Sequence, residues 1–96
     1  MKKLLTGAGS DSSGGAGIQA DLKTFAALGA YGMSCSCTLT AQNTTGVSMV
    51  VNTPVEMVTA QLEAVYSDIP PDGVKTGMLS TPDIVSAVAE FIRGHK

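Results

Sequence analysis

The residues with the most chemical potential stand near the start of the chain, in Gly7-Ala8-Gly9-Ser10-Asp11-Ser12-Ser13-Gly14-Gly15-Ala16-Gly17-Ile18-Gln19-Ala20-Asp21. Five of the eleven glycines lie between positions 7 and 17, after a short apolar run and before a segment of helical periodicity. Glycine is costly inside regular elements, so this cluster at a strand-to-helix junction signals turns with positive φ or a backbone that must lie against something. Asp11, Ser12 and Ser13 supply acceptors able to cap the free N–H groups of the following helix. A helix N-terminus reached through a glycine loop suits a polar ligand or an anion. Two specific versions of that chemistry fail. Gly9 and Gly14 have the Walker A spacing, but Gly15 and Ala16 stand where Lys and Ser/Thr belong. The dinucleotide fingerprint G-x-G-x-x-G breaks at Ser12, where its third glycine belongs. A turn that only lets strand and helix pack closely uses the same glycines, and local chemistry leaves the two readings even.

Other side chains add to the list. The amide of Gln42 can donate to a ring nitrogen and accept from an exocyclic amine, or it can bond to backbone or water as loop glutamines do. The thioether of Met78 suits an aromatic face and equally suits a core. Lys75 stands in an otherwise apolar strand, so it must reach solvent at a sheet edge or meet a carboxylate. Cys35 and Cys37 are two apart, which is poor geometry for a disulfide. Two thiols with the distant His95 make a poor zinc site, so buried free thiols in a reducing cytoplasm are expected. His95 itself reads as a solvated tail residue.

These groups need elements to hold them. Lys3 to Ala8 reads as a short buried strand ended by the glycines. A helix follows with Ile18, Leu22, Phe25 and Leu28 as one apolar stripe and Gly29 as its stop. From Met33 to Thr40 the chain alternates, with Met33, Cys35, Cys37 and Leu39 on one face and Ser34, Ser36, Thr38 and Thr40 on the other, hence a strand. The polar Gln42–Gly46 stretch breaks the pattern, and Val47 to Asn52 is a third strand. Thr53-Pro54-Val55-Glu56 carries the signature of a capping box before a helix that runs to about Ser67 and turns Val58, Leu62 and Val65 inward. Gly73 to Met78 is a fourth strand. A last helix starts around Ser80-Thr81-Pro82-Asp83, presents Ile84, Val88 and Phe91 or Ile92, and ends at Gly94. Strands alternating with such helices imply right-handed crossovers and a mainly parallel sheet with helices on its faces. Ligands bind such sheets beyond the carboxyl ends of the strands. The loop after the first strand, Thr40-Ala41-Gln42-Asn43 and Gly77-Met78 should converge there.

Composition narrows the classes. At 96 residues the chain is at most one domain, and 44% hydrophobic with 15% charged residues argues against disorder. A net charge of −2 with six scattered Lys and Arg gives no basic face, so neither nucleic acid nor a membrane surface is an expected partner. The apolar stretch after Met1-Lys2-Lys3 stops at once in the glycines, too short for a secretory signal, and no run is long enough to span a bilayer.

The run AGSDSSGGAGIQADLKTFAALGAYGMS, then LTAQNTTGV and then VKTGML closely resembles the N-terminal part of the hydroxymethylpyrimidine/phosphomethylpyrimidine kinases of thiamine biosynthesis. The resemblance implies a three-layer, ribokinase-like (Rossmann-like) α/β fold, with residues 1–96 as the substrate-binding portion of an incomplete kinase domain. Gln42 matches the glutamine of the family's T-A-Q-N motif, which binds the pyrimidine. Met78 matches the apolar side chain presented to the substrate ring, while Gly9 and Asp21 match positions that line the pocket. Thr40, beside Gln42, completes the set, although many relatives are aliphatic there, and the Met33 to Thr40 strand as a whole is less aliphatic than theirs. The family keeps a lysine at position 75 without an implied role.

The implied reaction is phosphorylation of 4-amino-5-hydroxymethyl-2-methylpyrimidine and its monophosphate by ATP with Mg2+. The nucleotide site and the catalytic loop of the family lie in its later half. These 96 residues alone are therefore expected to contain no catalytic or metal-binding residue and to lack kinase activity. A homodimer is the implied assembly. Two alternatives are a non-catalytic pyrimidine-binding or assembly module and a fragment of a pyridoxal-type kinase.

Overall fold

In the computed structural model, which describes residues Met1–His95, the elements run β1 (Lys3–Asp11), α1 (Gly17–Ala27), β2 (Tyr31–Asn43), β3 (Gly46–Asn52), α2 (Val55–Asp68), β4 (Gly73–Thr76) and α3 (Pro82–Gly94). The strands form one sheet in the order β3-β2-β1-β4. β1 is parallel to both β2 and β4, whereas β2 and β3 are antiparallel. The sheet is mainly parallel, as expected, but β3 arrives by a hairpin and not by a crossover. Asn43 makes that hairpin turn locally, its Oδ1 accepting from the N–H and hydroxyl of Thr45 at 2.9 and 2.6 Å.

Two strands are longer than their side chains suggested. β1 continues through Gly7 and Gly9 to Asp11, and β2 continues through Thr40, Ala41, Gln42 and Asn43 because β3 pairs with them. A register shift between Ala8 and Gly9 leaves an extra residue in β2 opposite that step. Such an irregularity resets the alternation of faces. Cys37 and Thr38 are consequently both buried, while Leu39, expected on the core face, is 57% exposed.

On one face of the sheet, Leu5, Met33, Cys35 and Cys37 pack with Val58 and Leu62 of α2 and Ile84, Val88 and Phe91 of α3. α1 covers the other face. It approaches so closely at Gly32 that a Cβ there would meet Leu22 and Phe25 at 2.9 and 3.3 Å. These are the expected three layers. The α1 stripe stops at Phe25, since the helix ends at Ala27 and leaves Leu28 exposed before Gly29 turns the chain at φ 79°.

The capping box at α2 does not form. Pro54 occupies the cap position, and Thr53 lies extended beside β2 with its N–H donating to the Cys37 carbonyl at 3.1 Å. α3 begins as expected, with the Thr81 hydroxyl accepting from the Ile84 N–H at 3.3 Å and Pro82 in the first turn. β3 pairs only with the later half of β2, so Ser36, which pairs with Ala8 of β1 on one side, has no strand on the other. Gln61 of α2 takes that place. Its Oε1 accepts from the Ser36 N–H at 2.8 Å and its Nε2 donates to the Ser36 carbonyl at 3.0 Å.

Both cysteines are free and buried, and the Cys35 thiol is pushed up by its hydrogen bond with Cys37 and by burial. His95 is exposed, as expected, and also lays one ring face on Phe91 with ring centres 3.9 Å apart. No helix among the described residues is long and apolar enough to cross a membrane.

Candidate functional site

Where the parallel strands reach their carboxyl ends, the chain encloses a cleft of about 470 Å³. β1 contributes Gly9, β2 contributes Thr40 and Gln42, and the segment after β4 contributes Gly77 and Met78. Val47 and Val50 of β3 close the apolar side. Four of the five candidate residues therefore share one cavity wall. The fifth, Asp21, stands behind it on α1. A wider groove of about 710 Å³ between α2 and α3 is lined by Tyr66, Phe91 and His95, away from the strand ends where ligands of open α/β sheets sit.

Gln42 is held at its backbone and at its amide. The Ser12 hydroxyl donates to the Gln42 carbonyl at 2.6 Å and accepts from the Gln42 N–H at 2.8 Å, tying the glycine loop to β2. The Thr40 hydroxyl shares its proton between the Ser10 carbonyl at 2.7 Å and Gln42 Oε1 at 3.1 Å. The Nε2 donors of Gln42 have no protein partner among the described residues. A side chain fixed through its oxygen and free through its nitrogen can donate to an acceptor on a flat ring.

The glycine loop is organised differently from the expected helix cap. Asp11 accepts from the Ser13 N–H and hydroxyl at 2.9 and 2.7 Å and from the Gly15 N–H at 3.0 Å, so it holds the turn before α1. Those bonds, the Ser13 hydroxyl foremost, hold its carboxyl below the usual range despite some loss of hydration. Gln19 returns from α1 to the strand, accepting from the Asp11 N–H and donating to Ser10 Oγ, both at 2.7 Å. The helix itself opens at Ala16 without a side-chain cap. At Gly17, φ is 61° and a Cβ would overlap the Gly9 carbonyl oxygen. Gly9 has room, since its added Cβ would meet only the Thr38 side chain, Cβ at 3.6 Å and Oγ1 at 3.9 Å.

Lys75 meets a carboxylate. Its Nζ lies 3.1 and 3.0 Å from the two oxygens of Asp21, and the Thr6 hydroxyl donates to Asp21 Oδ2 at 2.6 Å. Register explains the meeting, because Thr6 and Lys75 are paired across β1 and β4 and so rise on the same face, under α1. Partial burial raises the Asp21 pKa, but the Thr6 hydroxyl and Lys75 outweigh it and leave the carboxyl below its ordinary value. Ser80 of the cleft wall has φ 78°, unusual for a residue with a side chain, and its hydroxyl donates to Asn52 Oδ1 at the end of β3. Sequence reasoning missed Ser80 and the Lys75–Asp21 pair at this wall, and Ser12 as the tie that holds the glycine loop to Gln42. All three depend on contacts between distant segments, and only the expense of burying Lys75 hinted at one of them.

The fold and the cleft define a three-layer α/β protein with a partly apolar cleft at the carboxyl ends of its parallel strands. The family model for phosphomethylpyrimidine kinase matches residues 11–96. The hydroxymethylpyrimidine/phosphomethylpyrimidine kinase of Salmonella typhimurium is 58% identical over 91 residues, covering 95% of this chain and 34% of that protein. The crystal structure of phosphomethylpyrimidine kinase from Clostridium difficile 630 superposes with a TM-score of 0.96 at 53% identity, covering 99% of this chain and 41% of that one. The pyridoxal kinase of Staphylococcus aureus in complex with AMP-PCP and pyridoxal superposes with a TM-score of 0.88 at 42% identity, covering 100% and 36%. The chain belongs to the phosphomethylpyrimidine kinase family and has its ribokinase-like fold. It spans 34–41% of the length of these relatives.

Proposed function

We propose that residues 1–96 are the substrate-binding portion of a kinase that phosphorylates 4-amino-5-hydroxymethyl-2-methylpyrimidine and its monophosphate with ATP in thiamine biosynthesis. The observation that carries this reading is the meeting of Gln42, Thr40, Gly9 and Met78 in one cleft at the strand ends. Its volume of about 470 Å³ accommodates a single aromatic ring with a short substituent. Gln42 Nε2 donates to a ring nitrogen, Thr40 orients that amide, Met78 lies against the ring, and bare backbone at Gly9 leaves space for it. Asp21 supports the wall from behind, on α1.

The phosphoryl step asks for more. It needs a magnesium nucleotide in line with the acceptor hydroxyl and donors for the transferring group. No three carboxylate, imidazole or thiolate groups cluster to hold a metal ion among the described residues. We assign no residue of this chain to the transfer itself. The setting of the reading is cytoplasmic.

Calorimetry with 4-amino-5-hydroxymethyl-2-methylpyrimidine tests the reading. The chain binds it, and Gln42→Ala weakens binding about tenfold or more, the value of one ring hydrogen bond in a desolvated site. An unchanged affinity in the variant contradicts the reading. A pyridoxal-type activity is the second reading, favoured by the 42% identity to a pyridoxal kinase crystallised with pyridoxal. Pyridoxal binding tighter than the pyrimidine alcohol would decide for it. We also carry a homodimer, for which exposed Leu39, Met49 and Val51 offer apolar surface, and sedimentation velocity reads it directly.

A further inference from the structure

Lys75 is the one cationic side chain on the cleft wall among the described residues, and it is held there unusually well for a half-exposed lysine. Both oxygens of Asp21 bind its Nζ, and Asp21 is in turn fixed by the Thr6 hydroxyl. An exposed ion pair contributes little to stability after the entropy of ordering a long side chain is counted. What the arrangement achieves is position. A lysine ammonium has three donors, two of which meet Asp21, so the third remains for the cleft. Around it the wall is stripped of side chains, for Gly77 lies close enough that a Cβ there would come within 3.6 Å of Nζ. Asp11, the only carboxylate on the wall among the described residues, is turned inward onto the Ser13 and Gly15 N–H groups. The cleft thus offers a ring-binding amide and a single fixed positive charge.

A neutral pyrimidine alcohol uses only the first of these. Resting on the reading above, that the cleft takes the pyrimidine ring, we infer that Lys75, positioned by Asp21 and Thr6, is the group that recognises the phosphate of a phosphorylated pyrimidine and sets the preference of this site for the monoester over the free alcohol. Phosphate suits this partner because its oxygens accept charge-assisted hydrogen bonds, which are stronger than those a hydroxymethyl group can make.

The test is a pair of titrations, the alcohol and its monophosphate, against the wild-type chain, Lys75→Gln and Lys75→Arg. The wild type is expected to bind the monophosphate at least about tenfold more tightly than the alcohol. In Lys75→Gln the preference collapses towards one while alcohol affinity stays within about twofold, which also certifies that the variant is folded. Lys75→Arg keeps most of the preference, since it keeps the charge. A wild type that binds both equally, or a Lys75→Gln variant that keeps the wild-type ratio, overturns the inference and leaves the pyrimidine reading standing. Failure of the wild type to bind either ligand overturns the pyrimidine reading, and this inference with it.

Discussion

Gly9 and Gly17 are both glycines of the opening loop, yet a side chain would do different things at each. At Gly17 the φ of 61° and the nearby Gly9 carbonyl leave no place for a Cβ. Gly17→Ala is expected to cost about 3 kcal/mol or more in urea unfolding, combining left-handed backbone strain with overpacking. At Gly9 the added methyl meets Thr38 at an ordinary 3.6 Å. Gly9→Ala should change stability by no more than about 1 kcal/mol while weakening pyrimidine binding, because the methyl enters the cleft. Equal binding in wild type and Gly9→Ala would place the ring elsewhere. The aspartates give a pH signature. Asp11 and Asp21 both have folded-state values below their ordinary one, so their contributions are complete above the unfolded carboxyl value near pH 4 and fade as pH falls through the lowered folded values. Asp11→Asn should flatten that acid limb in thermal melts between pH 5 and about 2.

Among the elements, α3 was the most legible because its signals are local: Thr81 caps, Pro82 starts, and Ile84, Val88 and Phe91 recur at helical spacing and are all buried. Thr81→Ala should therefore cost about 1 kcal/mol. The Thr53-x-x-Glu56 pattern looked equally clear and failed, because the Thr53 backbone is claimed by the Cys37 carbonyl before its hydroxyl can cap α2. The β2–β3 hairpin was least legible. Thr40, Gln42 and Asn43 are polar, and such strand residues carry little trace of the backbone pairing that makes them a strand. Period two predicted β2 up to Cys37 and then misplaced Leu39, since an extra residue in one strand leaves no mark in side-chain types. The cleft was legible in its parts, as glycines, an amide and a thioether near strand ends. The ion pair behind it was not, because Asp21 and Lys75 are 54 positions apart and meet only through the β1–β4 register.

For the molecule as a whole, one apolar layer between the sheet and the α2–α3 pair supplies most of the burial, with Leu5, Leu62 and Ile84 almost wholly removed from solvent. Leu62→Ala should lower stability by about 2–5 kcal/mol, read as a shift of the denaturation midpoint. Cys35 and Cys37 report on the same layer: both are inaccessible in the folded chain, so a thiol reagent should modify them only as fast as the molecule opens. Rapid labelling in native buffer would mean that the core is not closed. The amide of Gln61, which stands in for a missing strand beside Ser36, has a consequence for the behaviour of many copies together. Without it, in Gln61→Ala, a bare N–H and C=O would sit next to the solvent-facing valines and methionine of β3. Such a margin can recruit further chains in register. Concentrated solutions of that variant should turn turbid and bind amyloid dyes under conditions in which the parent stays clear.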